Sequence, residues 1–240
     1  MNALELEKDY EPFLLPGRCW KVLFIGESVD DCGGGYSDSI AEICEELHVT
    51  TGPNRLSVLQ QTPDSKDLDH DYSKSFVLKP VEKDEFSEIN ENLLIFLGKL
   101  MGCALRQGSP LSIRLHGSMW KAIKGMPLSL SDIFDTDSAF ENQITFALQS
   151  EDFQKKSISL LSGQEIEISA NSRAEFLQKA LLIRSGEFSR SIALVREGLG
   201  QVVPINYINL FTPKELSDLV CGKGRLEIRK NFIFKRKNQL

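Results

Sequence analysis

Five cysteines are the residues of this 240-residue chain best suited to nucleophilic chemistry: Cys19, Cys32, Cys44, Cys103 and Cys221. They form no Cys-x-x-Cys pair, and an odd, scattered set is typical of reduced thiols and not of a disulfide framework. Cys221 has lysines nearby that could lower its pKa, but a nucleophile also needs a base, and no histidine lies near it in the sequence. We therefore predict no catalytic cysteine in this chain.

Two other features could bind a ligand, and neither predicts a site. The three histidines share no metal-ligand spacing. Glycines 33–35 could cradle a phosphate with their backbone N–H groups, but the chain has neither G-x-x-x-x-G-K-[ST] nor G-x-G-x-x-G, and Asp30 and Asp31 would repel an anion. We predict a structural turn here, with no metal and no cofactor.

Composition narrows the class of protein. An apolar content of 41% and a charged content of 26% are ordinary for a soluble globular protein of one or two domains. No apolar run reaches the length of about 18 residues that spans a bilayer, and the acidic N-terminus lacks a signal core, so we predict a cytosolic or nuclear protein without a membrane partner. Residues 223–240 carry a net charge of +6 and the first 222 carry −12. This acidic body argues against a nucleic-acid partner.

The elements that would position any site follow from apolar periodicity. Residues 22–25 predict a buried strand, and a capping box predicts a helix that starts at Ser39. Residues 50–74 predict a surface loop, and 75–78 a short strand. Glu91–Gln107 is apolar around nearly its whole circumference and predicts a helix that is buried on all sides.

Glycines and caps add detail to this prediction. Gly98 and Gly102 lie one turn apart and would let a neighbouring element approach closely. Each glycine costs roughly 1 kcal/mol of helix propensity, so the packing of that element has to compensate the cost. Polar and apolar residues alternate on both sides of the turn at 162–163, which predicts a β-hairpin. Capping boxes at Ser172 and Thr212 predict two more helices, with an amphipathic helix between them.

Several segments have sequences that resemble the HECT domain, the catalytic module of one class of ubiquitin-protein ligases. They are most similar to the HERC-type members. The opening phrase is FIGESVDDCGGGYSDSIAEICEEL, at 24–47. The family's phrases then recur in order, as FLGKLMGCALR at 96–106, WK at 120–121, PLSLSDI at 127–133, a looser match at 171–204, and a phrase that ends in VCG at 222. From Lys223 onward we expect the likeness to stop.

The resemblance implies a mostly helical α+β fold, the N-lobe of a HECT domain, in which a small α/β subdomain is appended to a large helical one. The expected parts are a lead-in at 1–19, a large subdomain at 20–145 and 202–222, a small subdomain at 146–201, and a divergent basic tail at 223–240. We expect that the tail does not pack against the body in a defined way.

The resemblance also implies a function. In the family, a cysteine that follows a threonine in the C-terminal lobe takes ubiquitin from a conjugating enzyme as a thioester and passes it to a substrate lysine. This sequence has no Thr-Cys dipeptide, so no catalytic residue can be carried over. What remains is recruitment of a ubiquitin-conjugating enzyme, with ubiquitin and substrate proteins reached through a longer product. A decoy or regulatory module that competes with full-length ligases is one alternative. Another is a truncated piece of a longer gene product, with residues 223–240 as a read-through tail.

The family's groove for the conjugating enzyme maps onto the 171–215 region of this chain. The candidate contacts are Leu181, Leu182, Ile183 and Phe211, with Arg184 at the rim. The alternative is that Leu181 and Phe211 are core residues. Phe211 is the preferred contact, because aromatic anchors dominate small interfaces.

Overall fold

The structure is a computed structural model that describes residues 17–23, 34–49, 58–65, 75–80 and 87–222. The helices are α1 (Gly34–His48), α2 (Ser87–Gln107), α3 (Gly117–Ile123), α4 (Leu130–Phe134), α5 (Ser138–Gln149), α6 (Arg173–Gly186), α7 (Ser189–Val202), α8 (Ile205–Ile208) and α9 (Pro213–Cys221). The strands are β1 (Leu59–Gln61), β2 (Phe76–Leu78), β3 (Lys155–Ser159) and β4 (Glu165–Ser169). In these ranges the strands form two antiparallel two-stranded sheets, β1–β2 and β3–β4. The predicted α+β fold, mostly helical, is confirmed.

Helices α2 and α7 pack against each other where glycines replace side chains. A Cβ atom on Gly98 would lie 2.1 Å from the carbonyl oxygen of Val195, and one on Gly198 would lie 1.9 Å from the carbonyl oxygen of Ile95. Gly102 faces the end of α7 in the same way. The predicted close approach at Gly98 and Gly102 is therefore confirmed, and α7 is the element that makes it.

A first cluster of buried side chains surrounds this helix pair. It draws on α1, on the β1–β2 sheet, on α3 and on α9. Its largest fully buried members include Phe76, Leu94, Leu97, Leu100, Met101, Met119 and Ile123. This cluster is larger than the second cluster, described next.

A second cluster of buried side chains lies under the β3–β4 hairpin and joins it to α4, α5 and α6. Its buried members are Ile133, Phe140, Ile144, Ala147, Ile158, Ile168, Ala170, Phe176 and Ala180. The bounds of this cluster differ from the expected subdomain at 146–201, because α4 and α5 contribute to it while α7 buries its apolar face against α2. The division of the chain into subdomains stays a prediction.

The opening stretch of the sequence differs from its prediction. In the described part of the predicted strand at 22–25, residues 22 and 23 are not in a strand, and Leu23 is 75% exposed. Helix α1 begins at Gly34, five residues before the predicted start. The Ser39 hydroxyl lies inside the helix, where it donates to the carbonyl oxygen of Tyr36 at 2.8 Å and accepts from Trp20 Nε1 at 2.9 Å. Ser39 thus serves a contact within the fold instead of a cap.

The predicted capping box at Thr212 is present, with Glu215. Ser129 forms a further capping box with Asp132. Gly222 ends α9 with φ of 70°, a left-handed conformation that glycine adopts without strain. The tail at 223–240 lies outside the described residues. None of the helices in the described ranges combines the length and apolar character that a bilayer crossing requires.

Candidate functional site

Helix α6 carries four of the five predicted docking residues, and its first turns are fixed by capping and burial. The Ser172 hydroxyl accepts from the backbone N–H of Glu175 at 3.1 Å, and the Glu175 carboxylate accepts from the N–H of Asn171 at 2.8 Å. Phe176 and Ala180 are fully buried in the second cluster. The second half of α6, residues 181–186, is thereby held at the junction of the two clusters.

The three predicted apolar contacts on α6 do not share one environment. Leu182 is 71% exposed and lines the same groove as Met126, another exposed apolar side chain. Leu181 is half-buried against the second cluster but also lines the groove beside Leu182. Ile183 is half-buried against the second cluster and does not line that groove.

The groove is an open apolar depression of about 620 Å³ between α6, α7 and the turn that follows α3. Its lining residues are Ala122, Gly125, Met126, Pro127, Leu128, Gln178, Leu181, Leu182, Ser185, Ser189, Ile192, Ala193 and Arg196. Met126 and Leu182 present exposed apolar side chains from opposite elements. A concave apolar surface with a few polar groups is the kind of site that accepts side chains of a partner.

The turn that carries Met126 is held at both ends. Arg196 Nη1 donates to the carbonyl oxygen of Ile123, and Lys121 Nζ donates to Asp132 Oδ2 at 2.5 Å. Burial alone would raise the pKa of Asp132, but hydrogen bonds from Lys121 and Ser129 outweigh it and hold the pKa below its usual value. Asp132 is therefore a carboxylate near neutral pH, and the ion pair braces the wall of the groove.

Arg184 lies in the interior, so its predicted place at the rim of the site is wrong. The residue is only 2% exposed, and its guanidinium pairs with Asp137 and, at 2.8 Å, with Glu187. The guanidinium also stacks over Phe140, 4.9 Å from the ring centroid. The physical reason is that two buried carboxylates require a cation, and the planar guanidinium can serve both at once.

The two carboxylates have further partners that tie α5 and the hairpin to α6. Asp137 Oδ1 accepts from the N–H of Phe140 at 2.9 Å and caps α5. Glu187 Oε1 accepts from the N–H of Leu161 at 2.8 Å. Burial raises the pKa of Glu187 above its usual value, and the Arg184 charge opposes that rise without cancelling it. This ionic cluster braces α6, which forms one wall of the groove.

Phe211 lies apart from the groove. It is half-buried against the first cluster, directly before the Thr212 cap of α9. Its neighbours Tyr207 and Leu210 are exposed. The structure brings Leu181 and Leu182 together in one groove, and Phe211 does not line that groove.

Phe146 is 72% exposed on α5 and was not among the predicted contacts. Phe140, Ile144 and Ala147 form the buried stripe of this helix, at the spacing of one helix face. Phe146 falls off that stripe, and this is the signal that could have found it. An exposed aromatic ring is a candidate for protein contact.

The described cysteines, Cys19, Cys44, Cys103 and Cys221, are buried or half-buried thiols. Burial raises the pKa of Cys44 to about 11, the opposite of the change that activates a thiol. Cys221 is half-buried and donates from Sγ to the carbonyl oxygen of Ile113 at 3.4 Å. Cys32 lies outside the described residues. Within the described ranges, no group of His, Cys, Asp and Glu is arranged to hold a metal ion.

Comparisons with known proteins connect this architecture to a family. The chain is 39% identical over 231 residues to the human E3 ubiquitin-protein ligase HERC2, with 88% of this chain and 5% of that protein covered. The mouse HERC2 matches at the same identity. The fruit-fly E3 ubiquitin-protein ligase Nedd-4 is 23% identical over 159 residues, with 58% of this chain and 16% of that protein covered. The chain thus spans only a small part of the length of the relatives it matches.

A family model gives the assignment. The model of the HECT-domain (ubiquitin-transferase) matches residues 56–237. The match continues past Gly222, so the expectation that the likeness stops at Lys223 is wrong. Because the match covers well over half of the chain, and the expected helical α+β architecture is present, this protein belongs to the HECT-domain family of ubiquitin transferases.

Proposed function

We propose that this chain is the part of a HECT-type ubiquitin-protein ligase that recruits a ubiquitin-conjugating enzyme. Membership of the family, from the match at 56–237, is the observation that carries the proposal. The exposed groove beside Leu182 and Met126 supports a location for the contact. Ubiquitin and substrate proteins are then partners of the whole ligase.

The recruitment is non-covalent and rests on apolar contact. A partner side chain that enters the groove removes Leu182 and Met126 from water, while the ion pair of Lys121 and Asp132 keeps the wall in place. The groove is one small concave surface, so binding is weak and transient, as suits an enzyme that must dissociate to be recharged. We propose that no cysteine of this chain forms the thioester.

The test is a titration of a panel of ubiquitin-conjugating enzymes with the wild-type chain and with Leu182→Ser. We expect the substitution to weaken binding by about tenfold or more, the usual cost of a truncated interface anchor. Ile89→Ser is the matched control, because Ile89 is also an exposed aliphatic side chain and does not line the groove. Equal affinity of the Leu182→Ser chain would remove the groove from the site.

Two further surfaces are candidates for the contact, one around Phe146 and one around Phe211. Phe146 is as exposed as Leu182, which makes its ring a further candidate anchor. Phe211 stays a predicted contact, but its packing against the first cluster means that Phe211→Ala must be checked for folding. Loss of binding in Phe146→Ala alone would move the site to α5.

A regulatory module is the alternative function. A chain that binds the conjugating enzyme without passing ubiquitin on would compete with full-length ligases for it. The exposed, apolar character of the groove supports this function equally. Inhibition of a full-length HECT ligase by wild-type chain, relieved by Leu182→Ser, would identify the decoy role.

A further inference from the structure

Two cysteines that are remote in sequence meet in the interior. Cys19 lies in the segment 17–23 and Cys103 lies on α2, and their Sγ atoms are 2.7 Å apart. Both residues are thiols, with exposed fractions of 2% and 4%. The sulfur separation exceeds the S–S bond length of about 2.05 Å by less than 1 Å, so a covalent bond requires only a small movement.

A polar network holds the two sulfurs in this position. Gln107 Nε2 donates to Cys19 Sγ at 3.1 Å, and Tyr36 Oη donates to Gln107 Oε1 at 3.0 Å. The backbone N–H of Cys19 donates to Tyr36 Oη at 3.4 Å. Three parts of the fold, the 17–23 segment, α1 and α2, thus converge on the thiol pair.

We propose that Cys19 and Cys103 form a redox-sensitive pair, which closes to a disulfide when hydrogen peroxide reaches it and reopens with a dithiol reductant. The proposal does not depend on the function proposed above. It concerns the stability and attachment of the 17–23 segment, whatever partner the groove binds.

The reaction balances as follows. One sulfur attacks a peroxide oxygen, which breaks the O–O bond and gives a sulfenic acid and one water. The second thiol attacks the sulfenic sulfur, the S–S bond forms, and the hydroxyl leaves as a second water. Two thiols are oxidised and one peroxide is reduced to two waters. A dithiol reductant reverses the bond by exchange and becomes a disulfide itself.

The bond would fasten the 17–23 segment to the central helix pair. Cys19 and Cys103 share a small cluster with Val202, the last residue of α7, and with Trp20 and Val203. Apolar contact and the network described above attach this segment to α2 in the thiol state. A disulfide adds a covalent tie that spans 84 positions of sequence. In the cytosol or nucleus, the compartments predicted from the sequence, thiols are kept reduced, so the tie would form only under oxidant exposure.

Burial sets the pace of the closure. Desolvation is the main reason why the pKa of Cys103 lies well above its usual value, and the Cys19 sulfur raises it further. Little thiolate therefore exists at neutral pH, and oxidation proceeds slowly from a transiently opened state. The closure should accelerate as pH rises.

The test uses the full 240-residue chain, treated with hydrogen peroxide under native conditions. We expect a disulfide-linked peptide pair that contains Cys19 and Cys103, identified by mass spectrometry and abolished by a dithiol reductant. The oxidised chain should melt about 4–10 °C higher than the reduced chain, because the bond restricts the unfolded state. This shift should vanish in Cys19→Ala and in Cys103→Ala.

Cys221→Ser serves as the control variant and should keep both the linked peptide and the melting shift, because Cys221 lies on α9, where its Sγ donates a hydrogen bond to the carbonyl oxygen of Ile113. The wild-type measurement stands even if an alanine variant fails to fold. Thiols at 19 and 103 that both remain alkylatable after prolonged oxidation would overturn the proposal. A dominant disulfide from either residue to a different cysteine would overturn it as well.

Discussion

The side chain of Arg184 pairs with two buried carboxylates, those of Asp137 and Glu187. Asp137 caps α5, and Glu187 accepts a hydrogen bond from the N–H of Leu161, so each carboxylate is tied to a different element. A buried cluster of this kind adds little net stability when intact but is costly to break, since removing the cation leaves charges without compensation in the interior. Its role here is to fix α6 relative to α5 and the hairpin.

Replacing Arg184 tests this at the residue scale. Arg184→Met should lower the free energy of unfolding by about 3–5 kcal/mol, as for other broken buried pairs, measured by urea denaturation. Arg190→Met is the matched control, because Arg190 pairs with Glu91 at 2.7 Å on the surface and solvent screens that pair. Similar losses in the two variants would contradict a structural role for Arg184.

Glu187 gives the cluster a pH dependence. Its folded-state pKa is raised above its usual value by burial, so the folded chain holds the proton more tightly than the unfolded chain does. The associated stability is present at low pH and is lost as pH rises from the ordinary glutamate pKa through the raised folded value. The stability of the wild type relative to Glu187→Gln should therefore fall as pH rises across this window. Thermal unfolding of both chains at a series of pH values measures this difference. A relative stability that grows with pH would show that the Arg184 charge dominates.

At the scale of elements, the contact between α2 and α7 depends on glycine. Gly198→Ala should destabilise the chain by about 1–3 kcal/mol, because the new methyl group would overlap the carbonyl oxygen of Ile95. Gly200→Ala is the control on the same helix, since nothing lies within 4 Å of its Cβ position, and it should stabilise by up to about 1 kcal/mol. Denaturant titration of both variants gives the comparison, and equal effects would refute the close approach.

The same elements show what the sequence could predict. Gly98 and Gly102 in an apolar helix indicated a tight neighbour, because only packing could compensate their propensity cost. The partner helix α7 could not be identified, since Gly198 meets Ile95 only after about a hundred residues of chain have folded back. Strand β1 was missed inside the predicted loop at 50–74, because a three-residue strand shows no period of its own.

The candidate site was predictable only in part, for similar reasons. The helix that carries Leu181 and Leu182 could be predicted from local sequence, because the Ser172 cap and the apolar Phe176 mark its first turns. Whether a residue at the end of that helix faces a partner or the interior depends on distant side chains. Arg184 is buried because Asp137 approaches from 47 positions away, and no periodicity in α6 reports that.

At the scale of the whole molecule, the groove lies where the two clusters meet. One wall comes from the turn after α3 and from α7, which belong with the first cluster, and the other comes from α6 of the second. Contacts within each cluster position that wall independently of any partner. A docking enzyme would therefore meet a preformed surface, and its binding should not require the chain to fold further.

The most direct test of the proposed recruitment is hydrogen exchange of the full chain with and without ubiquitin-conjugating enzymes from a panel. We expect at least one enzyme to slow exchange at 178–186 and at 124–128, the two walls of the groove, with the helix pair of α2 and α7 unchanged in its core. Leu182→Ser should abolish that protection while leaving the free chain's pattern intact. Exchange that no conjugating enzyme alters anywhere in the chain would contradict the recruiting function, and protection confined to α5 would place the contact at Phe146.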